Sequence, residues 1–201
     1  MNKKLMLATH NAGKLREITE LAAPGGFTVL SLVDFPELSA VEETGETFAA
    51  NALLKARAAC RATGLLTLGD DSGLEVAALG GLPGVHSARF AGEDQCDRRN
   101  NDKLLAALRS VPTAERTARF RCVMAIVTPA GDEYTVEGTV EGLIAERPRG
   151  AGGFGYDPLF YLPASGMTMA ELPLAEKNRI SHRGQALRRA LDVLRTISVT
   201  V

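Results

Sequence analysis

An α/β fold is predicted for this chain of 201 residues by three features. A short apolar run, Leu5–Ala8, feeds a polar turn and then a helical pattern from Lys14 to Leu21, with Leu15, Ile18 and Leu21 on one side. A second apolar run, Phe27–Leu32, is followed by an Ala- and Leu-rich helical pattern over Glu46–Ala62, and that pattern by a third run, Leu65–Leu68. The chain closes on an amphipathic helix with Leu187, Leu191, Leu194 and Ile197 on one face. The length suits one domain with a sizeable core, or one domain with two lobes.

The first strand and helix are joined by Thr9-His10-Asn11-Ala12-Gly13-Lys14. A turn that opens a helix presents unpaired N–H groups and the positive end of the dipole, a ready anion site to which Lys14 adds a full charge. The spacing is not that of a Walker A loop. Asn11 also reads simply as a helix cap. Asp34–Ala40 is turn-rich. The helix over Glu46–Ala62 can be closed by Gly64, and its Asn51 and Lys55 share a face. Glu43 stands at its entrance, so Lys55 can reach toward the acidic stretch that follows, or else lie on a solvated face.

That stretch is Gly69-Asp70-Asp71-Ser72-Gly73-Leu74-Glu75-Val76. It reads as a glycine-flanked turn at the end of the Leu65–Leu68 strand, where α/β sheets bind ligands. Two adjacent carboxylates repel unless a cation or proton is held nearby, and oxygen ligands suit Mg²⁺. A solvated Asp-Asp-Ser-Gly turn is the alternative. Gly80–Phe90 is a loop in which His86 lacks a companion at ligand spacing, and Arg89 suits either a phosphate or its own loop. Glu93–Leu108 is helix-capable through Leu104, Leu105 and Leu108.

Thr117–Thr128 alternates, with Ala118, Phe120, Cys122, Met124 and Ile126 on one face. Pro129-Ala130-Gly131-Asp132 turns the chain into a returning strand over Glu133–Ile144, where Gly138 and Gly142 mark weak points or bulges. Such a hairpin can extend from the main sheet as a second lobe or an oligomer surface. Pro148–Pro158 is glycine-rich and aromatic: Phe154 or Tyr156 can stack on a purine, or both can pack inward. Leu159–Leu162 is a short strand. Ala175–Gly184 is dense in donors, and Ser181 suits the N-cap of the last helix. His182 and Arg183 in its first turn oppose the dipole, which an anionic or carbonyl-bearing partner would relieve.

Hydrophobic residues at 45%, charged residues at 23% and a net charge of −1 describe a globular protein without the basic field that holds a nucleic-acid polymer. A phosphate-bearing partner is therefore expected to be small. Three dispersed cysteines, Cys60, Cys96 and Cys122, point to reduced thiols in the cytoplasm, with Cys60 and Cys122 as core filler. Met1–Leu5 opens like a signal peptide, but the apolar run stops at Ala8, and nothing approaches the about 20 apolar residues of a membrane span.

Together these motifs resemble the inosine triphosphate pyrophosphatase family (XTP/dITP diphosphatases). The matching pieces are Thr9-x-Asn11-x-x-Lys14, Glu42-Glu43-Thr44-Gly45-x-Thr47-Phe48, Asn51-Ala52-x-x-Lys55-Ala56, Asp70-Asp71-Ser72-Gly73-Leu74 and Gly80-Gly81-x-Pro83-Gly84-Val85-x-Ser87-Ala88-Arg89. Arg149-Gly150-x-Gly152-Gly153-Phe154-Gly155-Tyr156-Asp157-Pro158 and Glu176-Lys177-Asn178-x-Ile180-Ser181-His182-Arg183-Gly184 complete an ordered set across nearly the whole chain. The resemblance implies one elongated, two-lobed mixed-sheet domain over residues 1–201, with its active site in the cleft between lobes, usually as a homodimer.

It also implies Mg²⁺-dependent hydrolysis of ITP, dITP and XTP to the monophosphate and pyrophosphate, which removes deaminated purines from the nucleotide pool. By the same resemblance, Asp71 is the catalytic acid and, with Glu43, a metal ligand. Lys55 is assigned to catalysis and the phosphates, beside Thr9, Asn11, Gly13, Lys14 and Ser72. Phe154, Gly155, Tyr156, Asp157, Lys177, His182 and Arg183 fall on the base and sugar side. Two departures stand out: family members often carry Glu where Ala50 and Ala175 stand, and the first of these leaves the metal's ligand set open. A pyrophosphatase for ordinary or pyrimidine triphosphates, and a nucleotide-sensing module without turnover, are the competing functions.

Overall fold

The first apolar run forms β1 (Lys3–Leu7), and its helical pattern forms α1 (Ala12–Ala22), ahead of β2 (Phe27–Ser31). The structure, a computed structural model, describes residues 3–22, 25–38 and 41–197. Ser39 and Ala40, which end the predicted turn region, lie outside the described residues, as do Met1 and Asn2. Next come α2 (Phe48–Thr63), β3 (Thr67–Val76), α3 (Asp97–Ala107), β4 (Thr117–Val127) and β5 (Glu133–Ile144). β6 (Phe160–Leu162), β7 (Met167–Thr168), α4 (Leu174–Ile180) and α5 (His182–Ile197) complete the fold. The seven strands form one mixed sheet in the order β2-β1-β3-β4-β5-β6-β7. β1 pairs in parallel with both β2 and β3, while β5–β6 and β6–β7 are antiparallel.

Local chemistry sets the element ends. The Thr47 side chain accepts the Ala50 N–H at 3.1 Å and starts α2, and Gly64 ends it at φ 66°. α3 begins four residues later than the pattern suggested, after Gln95 at φ 52°. α4 was not legible as a helix, because Leu174–Ile180 carries no apolar stripe. Among the described residues, no helix is long and apolar enough to cross a membrane.

The chain forms two compact units. The first takes the chain up to Asp71, Cys122–Gly138 and everything from His182 on. One face of its sheet buries Leu5, Leu7, Leu68, Cys122, Met124 and Ile126 against Ile18 of α1 and Ala186, Leu187, Ala190, Leu191 and Leu194 of α5. The other face packs Met6 and Ala8 with Leu32 and Ala59 of α2. Alternation along β1 therefore feeds a helix layer on each side. Cys60 and Cys122 are buried free thiols, as core filler should be.

The second unit comprises Ser72–Arg121 and Thr139–Ser181. Its core gathers Leu74, Val76, Leu104, Leu108, Ala118, Phe120, Ile144, Tyr156, Leu159 and Phe160. The Phe120 and Phe160 rings lie 4.5 Å apart between centroids.

Two expectations are corrected. The acidic stretch is no turn: β3 runs unbroken through Asp70 and Asp71, because a strand with neighbours on both sides of the sheet keeps its ladder despite turn-prone residues. The hairpin of β4 and β5 does not leave the sheet but lies inside it, with β4 buried along most of its length, while its stretches 117–121 and 139–144 belong to the second unit. Gly138 and Gly142 both lie within β5. A Cβ at Gly138 would meet the His182 carbonyl and the Ala186 nitrogen, and one at Gly142 would meet the Tyr161 carbonyl, so each glycine admits a close neighbour.

Candidate active site

β1 and β3 are parallel neighbours whose register ends at Leu7 opposite Leu68, and the Ala8 N–H bonds the Leu68 carbonyl at 2.9 Å. β1 is followed by β2 on one side and flanked by β3 on the other, so the chain changes direction around β1. Crevices at such switch points, beyond the strands' carboxyl ends, are where α/β sheets bind ligands. In this unit the Thr9–Lys14 turn lies beyond the end of β1, beside the two acids within β3.

The turn is internally organised. Thr9 Oγ1 accepts the Asn11 N–H at 3.2 Å, and Asn11 Oδ1 accepts the Lys14 N–H at 3.0 Å. Asn11 thus caps α1 while both it and Thr9 remain open to solvent on one side, with Gly13 half-buried beside them. The Lys14 ammonium reaches the Asp70 carboxylate at 2.8 Å.

Adjacent strand residues point to opposite faces, and the two acids have separate partners. Asp70, buried, faces α1 and α5: besides Lys14 it has Arg183 Nε at 3.8 Å. Burial pushes its pKa up, but the charges of Lys14, Arg183 and Lys55 overcome this and hold it at about 2. Its compensation is mainly Coulombic, with a smaller share from the Lys14 ammonium as a hydrogen-bond donor. Asp71 faces α2, where Asn51 Nδ2 donates to its Oδ2 at 3.2 Å and the Lys55 ammonium lies 3.4 Å from Oδ1.

Glu43 joins this second face, accepting from Lys55 Nζ at 2.6 Å. One ammonium therefore serves two carboxylates. Burial and the neighbouring Glu43 raise the Asp71 pKa against the pull of Lys55, Lys14 and Asn51. Burial would lower Lys55, yet Asp71, Asp70 and Glu43 together raise it. The two shifts are consistent because Lys55 meets three acids, whereas Asp71 meets a like charge. This is an acid pair with oxygen donors only, which suits a hard divalent cation held by one or two carboxylates and completed by phosphate and water. Among the described residues, no three His, Cys, Asp or Glu side chains gather into a metal cage of their own.

Arg183 is buried, with Nη1 2.5 Å from Glu17 Oε2. Glu17 and Asp70 raise its pKa despite burial, and Glu17 supplies the anionic partner that a cation at the start of α5 requires. His182 is buried beside it. Both belong to the first unit, and so do Thr9, Asn11, Gly13, Lys14, Glu43, Lys55 and Asp71.

Ser72, Phe154, Gly155, Tyr156, Asp157 and Lys177 belong to the second unit. Here Asp157 Oδ2 accepts the Phe154 N–H at 2.9 Å and pairs with Lys177 Nζ at 2.6 Å, both side chains buried. Lys177 also lies 5.0 Å from the centre of the Phe154 ring. The Tyr156 hydroxyl donates to the Ser87 carbonyl at 2.8 Å and its ring is part of the core. Of the two aromatics, only Phe154 is left partly exposed. Ser72 is half-buried, and His86 is exposed.

Three residues of the first unit escaped the sequence reading of the site: Asn51 as an organiser, Asp70 as a separate charge centre and Glu17. Asn51 had a signal, since asparagine is a poor choice inside an Ala-rich helix. Glu17 had none to set it apart from Glu20.

A model of the Ham1 family matches residues 5–193. The chain is 55% identical over 196 residues to a dITP/XTP pyrophosphatase of Desulforamulus reducens, covering 98% of each. It is 58% identical to one of Geobacillus kaustophilus, covering 92% of this chain and 91% of that protein. The structure of a HAM1 protein from Coxiella burnetii is similar at a TM-score of 0.87 and 43% identity, over 96% of this chain and 99% of that one.

Proposed function

Because this chain belongs to the Ham1 family, we propose that it is a nucleoside triphosphate pyrophosphohydrolase. It uses Mg²⁺ to convert ITP, dITP and XTP to monophosphate and pyrophosphate. The reading includes a cytoplasmic homodimer whose two units act as one catalytic domain on a small nucleotide, with no polymer or membrane involved. The observation that carries it is the shared ammonium: Lys55 stands 2.6 Å from Glu43 and 3.4 Å from Asp71.

Hydrolysis of a phosphoanhydride needs neutralised oxygens and a positioned water rather than covalent help from protein. Glu43 and Asp71 would hold Mg²⁺, which neutralises phosphate charge and makes the attacking water more acidic. Asp71 takes the proton from that water. Lys55 and Lys14 face the phosphate oxygens, and the Thr9–Gly13 turn offers N–H groups at the start of α1. Phe154 presents a face for stacking. Arg183 and backbone N–H groups are donors for a 6-keto oxygen, whereas the adenine 6-amino group would leave a donor unpaired at a cost of about 1–3 kcal/mol.

The test is a panel of ITP, dITP, XTP, GTP, ATP and dTTP with Mg²⁺, reading pyrophosphate and monophosphate. Turnover concentrated on the first three is expected. Equal rates across the panel would remove the preference, and binding without pyrophosphate release would make the protein a sensor. In the same assay Asp71→Asn should lose turnover by at least about a thousandfold while remaining folded. Full activity in that variant would remove Asp71 from the reaction.

A further inference from the structure

The first turns of α3 grip the peptide that follows Phe154. The Gly155 N–H donates to Asp97 Oδ2 at 2.7 Å, and the Gly155 carbonyl accepts from Asn101 Nδ2 at 2.9 Å. Asn101 Nδ2 also donates to the Asp97 carbonyl at 2.9 Å. Both contacts of that nitrogen are to carbonyl oxygens, which fixes the amide orientation, since a flipped amide would set oxygen against oxygen.

Gly155 sits at φ 62°, a conformation that favours glycine, and Gly153 before it sits at φ 74°. A segment of this kind has several accessible backbone states unless something selects one. Here the selection comes from both sides: Asp157 holds the Phe154 N–H from within the loop, and α3 holds the next peptide at its donor and its acceptor. Asn101 is buried, and its Oδ1 has no hydrogen-bond donor among the described residues. An apolar side chain at 101 would avoid that penalty. What the amide offers at this position is its nitrogen, which holds two carbonyls.

We infer that Asp97 and Asn101 are positioning residues for base recognition: by clamping the Gly155 peptide they hold the Phe154 ring ready to stack on the purine. The inference rests on the proposed reading of Phe154 as the stacking face. Preorganisation of this kind acts on binding, because a loop fixed in advance loses less freedom when the ligand arrives. It should leave untouched the groups that handle the triphosphate.

The experiment measures kcat and KM for ITP, and the inhibition constant of inorganic tripolyphosphate, which has no base. It compares the unaltered protein with Asp97→Ala, Asn101→Asp and Asp97→Asn. Asp97→Ala removes the acceptor, and Asn101→Asp replaces the donor by a carboxylate that repels the Gly155 carbonyl. Each should raise KM for ITP by about tenfold, the worth of one such bond, with kcat within about twofold. Tripolyphosphate inhibition should not move. Asp97→Asn keeps an acceptor oxygen and should behave as the unaltered protein.

Unmoved KM in Asp97→Ala and Asn101→Asp overturns the inference alone. Parallel loss of tripolyphosphate binding, including that from a variant that fails to fold, marks a merely structural role and overturns it too. Absence of ITP turnover in the unaltered protein sinks the functional reading, and this inference with it.

Discussion

Asn51 and Asp71 are joined by a hydrogen bond of 3.2 Å from amide to carboxylate, and the other end of the same amide accepts the Gly45 N–H at 2.8 Å. A buried side chain on α2 thus ties the segment that carries Glu43 to the strand that carries Asp71. A Cβ at Gly45 would fall 2.6 Å from Asn51 Oδ1, so the segment passes too close for any other residue.

Asn51→Ala is therefore expected to act on the acid pair without touching substrate. Residues that orient metal ligands from behind typically cost about 10–100-fold when lost. The variant should lower kcat in that range and raise the Mg²⁺ concentration needed for half-maximal pyrophosphate release. An unchanged Mg²⁺ titration would show that Asn51 serves the fold alone.

Asp70 governs acid stability. Its pKa falls from 3.8 to about 2 on folding, so the folded state favours the ionised form. The resulting stabilisation is complete above the unfolded value near 4 and is lost as pH falls from there toward 2. It amounts to about 2 kcal/mol. Asp71 has the opposite sign: its raised pKa means that ionisation weakens the fold as pH rises past the unfolded value. Urea unfolding at stepped pH should show a shallower acid loss in Asp70→Asn than in the unaltered protein. An identical slope would remove Asp70 from that role.

Gly69→Ala tests the packing of β3 on α2. The added methyl would lie 2.5 Å from the Ala52 carbonyl oxygen and 2.9 Å from the Ala56 nitrogen, both rigid helix backbone. Overpacking of this kind should cost about 3 kcal/mol, read as a lowered unfolding midpoint. Wild-type stability would mean that α2 can withdraw from the strand.

Elements with strong periodicity are legible in the amino-acid sequence: α1, α2, α5 and the β4–β5 pair sit where their apolar spacing places them. β3 is not, because Asp-Asp-Ser-Gly has the composition of a turn, and only the neighbouring strands make it extended. α4 hides for a related reason: Glu176, Lys177, Asn178 and Arg179 look like solvated polar residues, yet Lys177 and Asn178 are buried. At the site, Glu43, Lys55 and Asp71 can be named from spacing and resemblance. Glu17 as the partner of Arg183 cannot, since the two are 166 positions apart in the chain and meet only through the fold.

The alternation along β3 has an evolutionary corollary. Adding or deleting one residue upstream of Asp70 would exchange the destinations of the two acids, sending each into surroundings shaped for its neighbour. Substitutions in this short segment can be graded in their effect; a change in its count would be all-or-nothing. Lineages of this protein should therefore vary freely in the lengths of their surface connections while keeping the spacing from Thr67 to Asp71 constant.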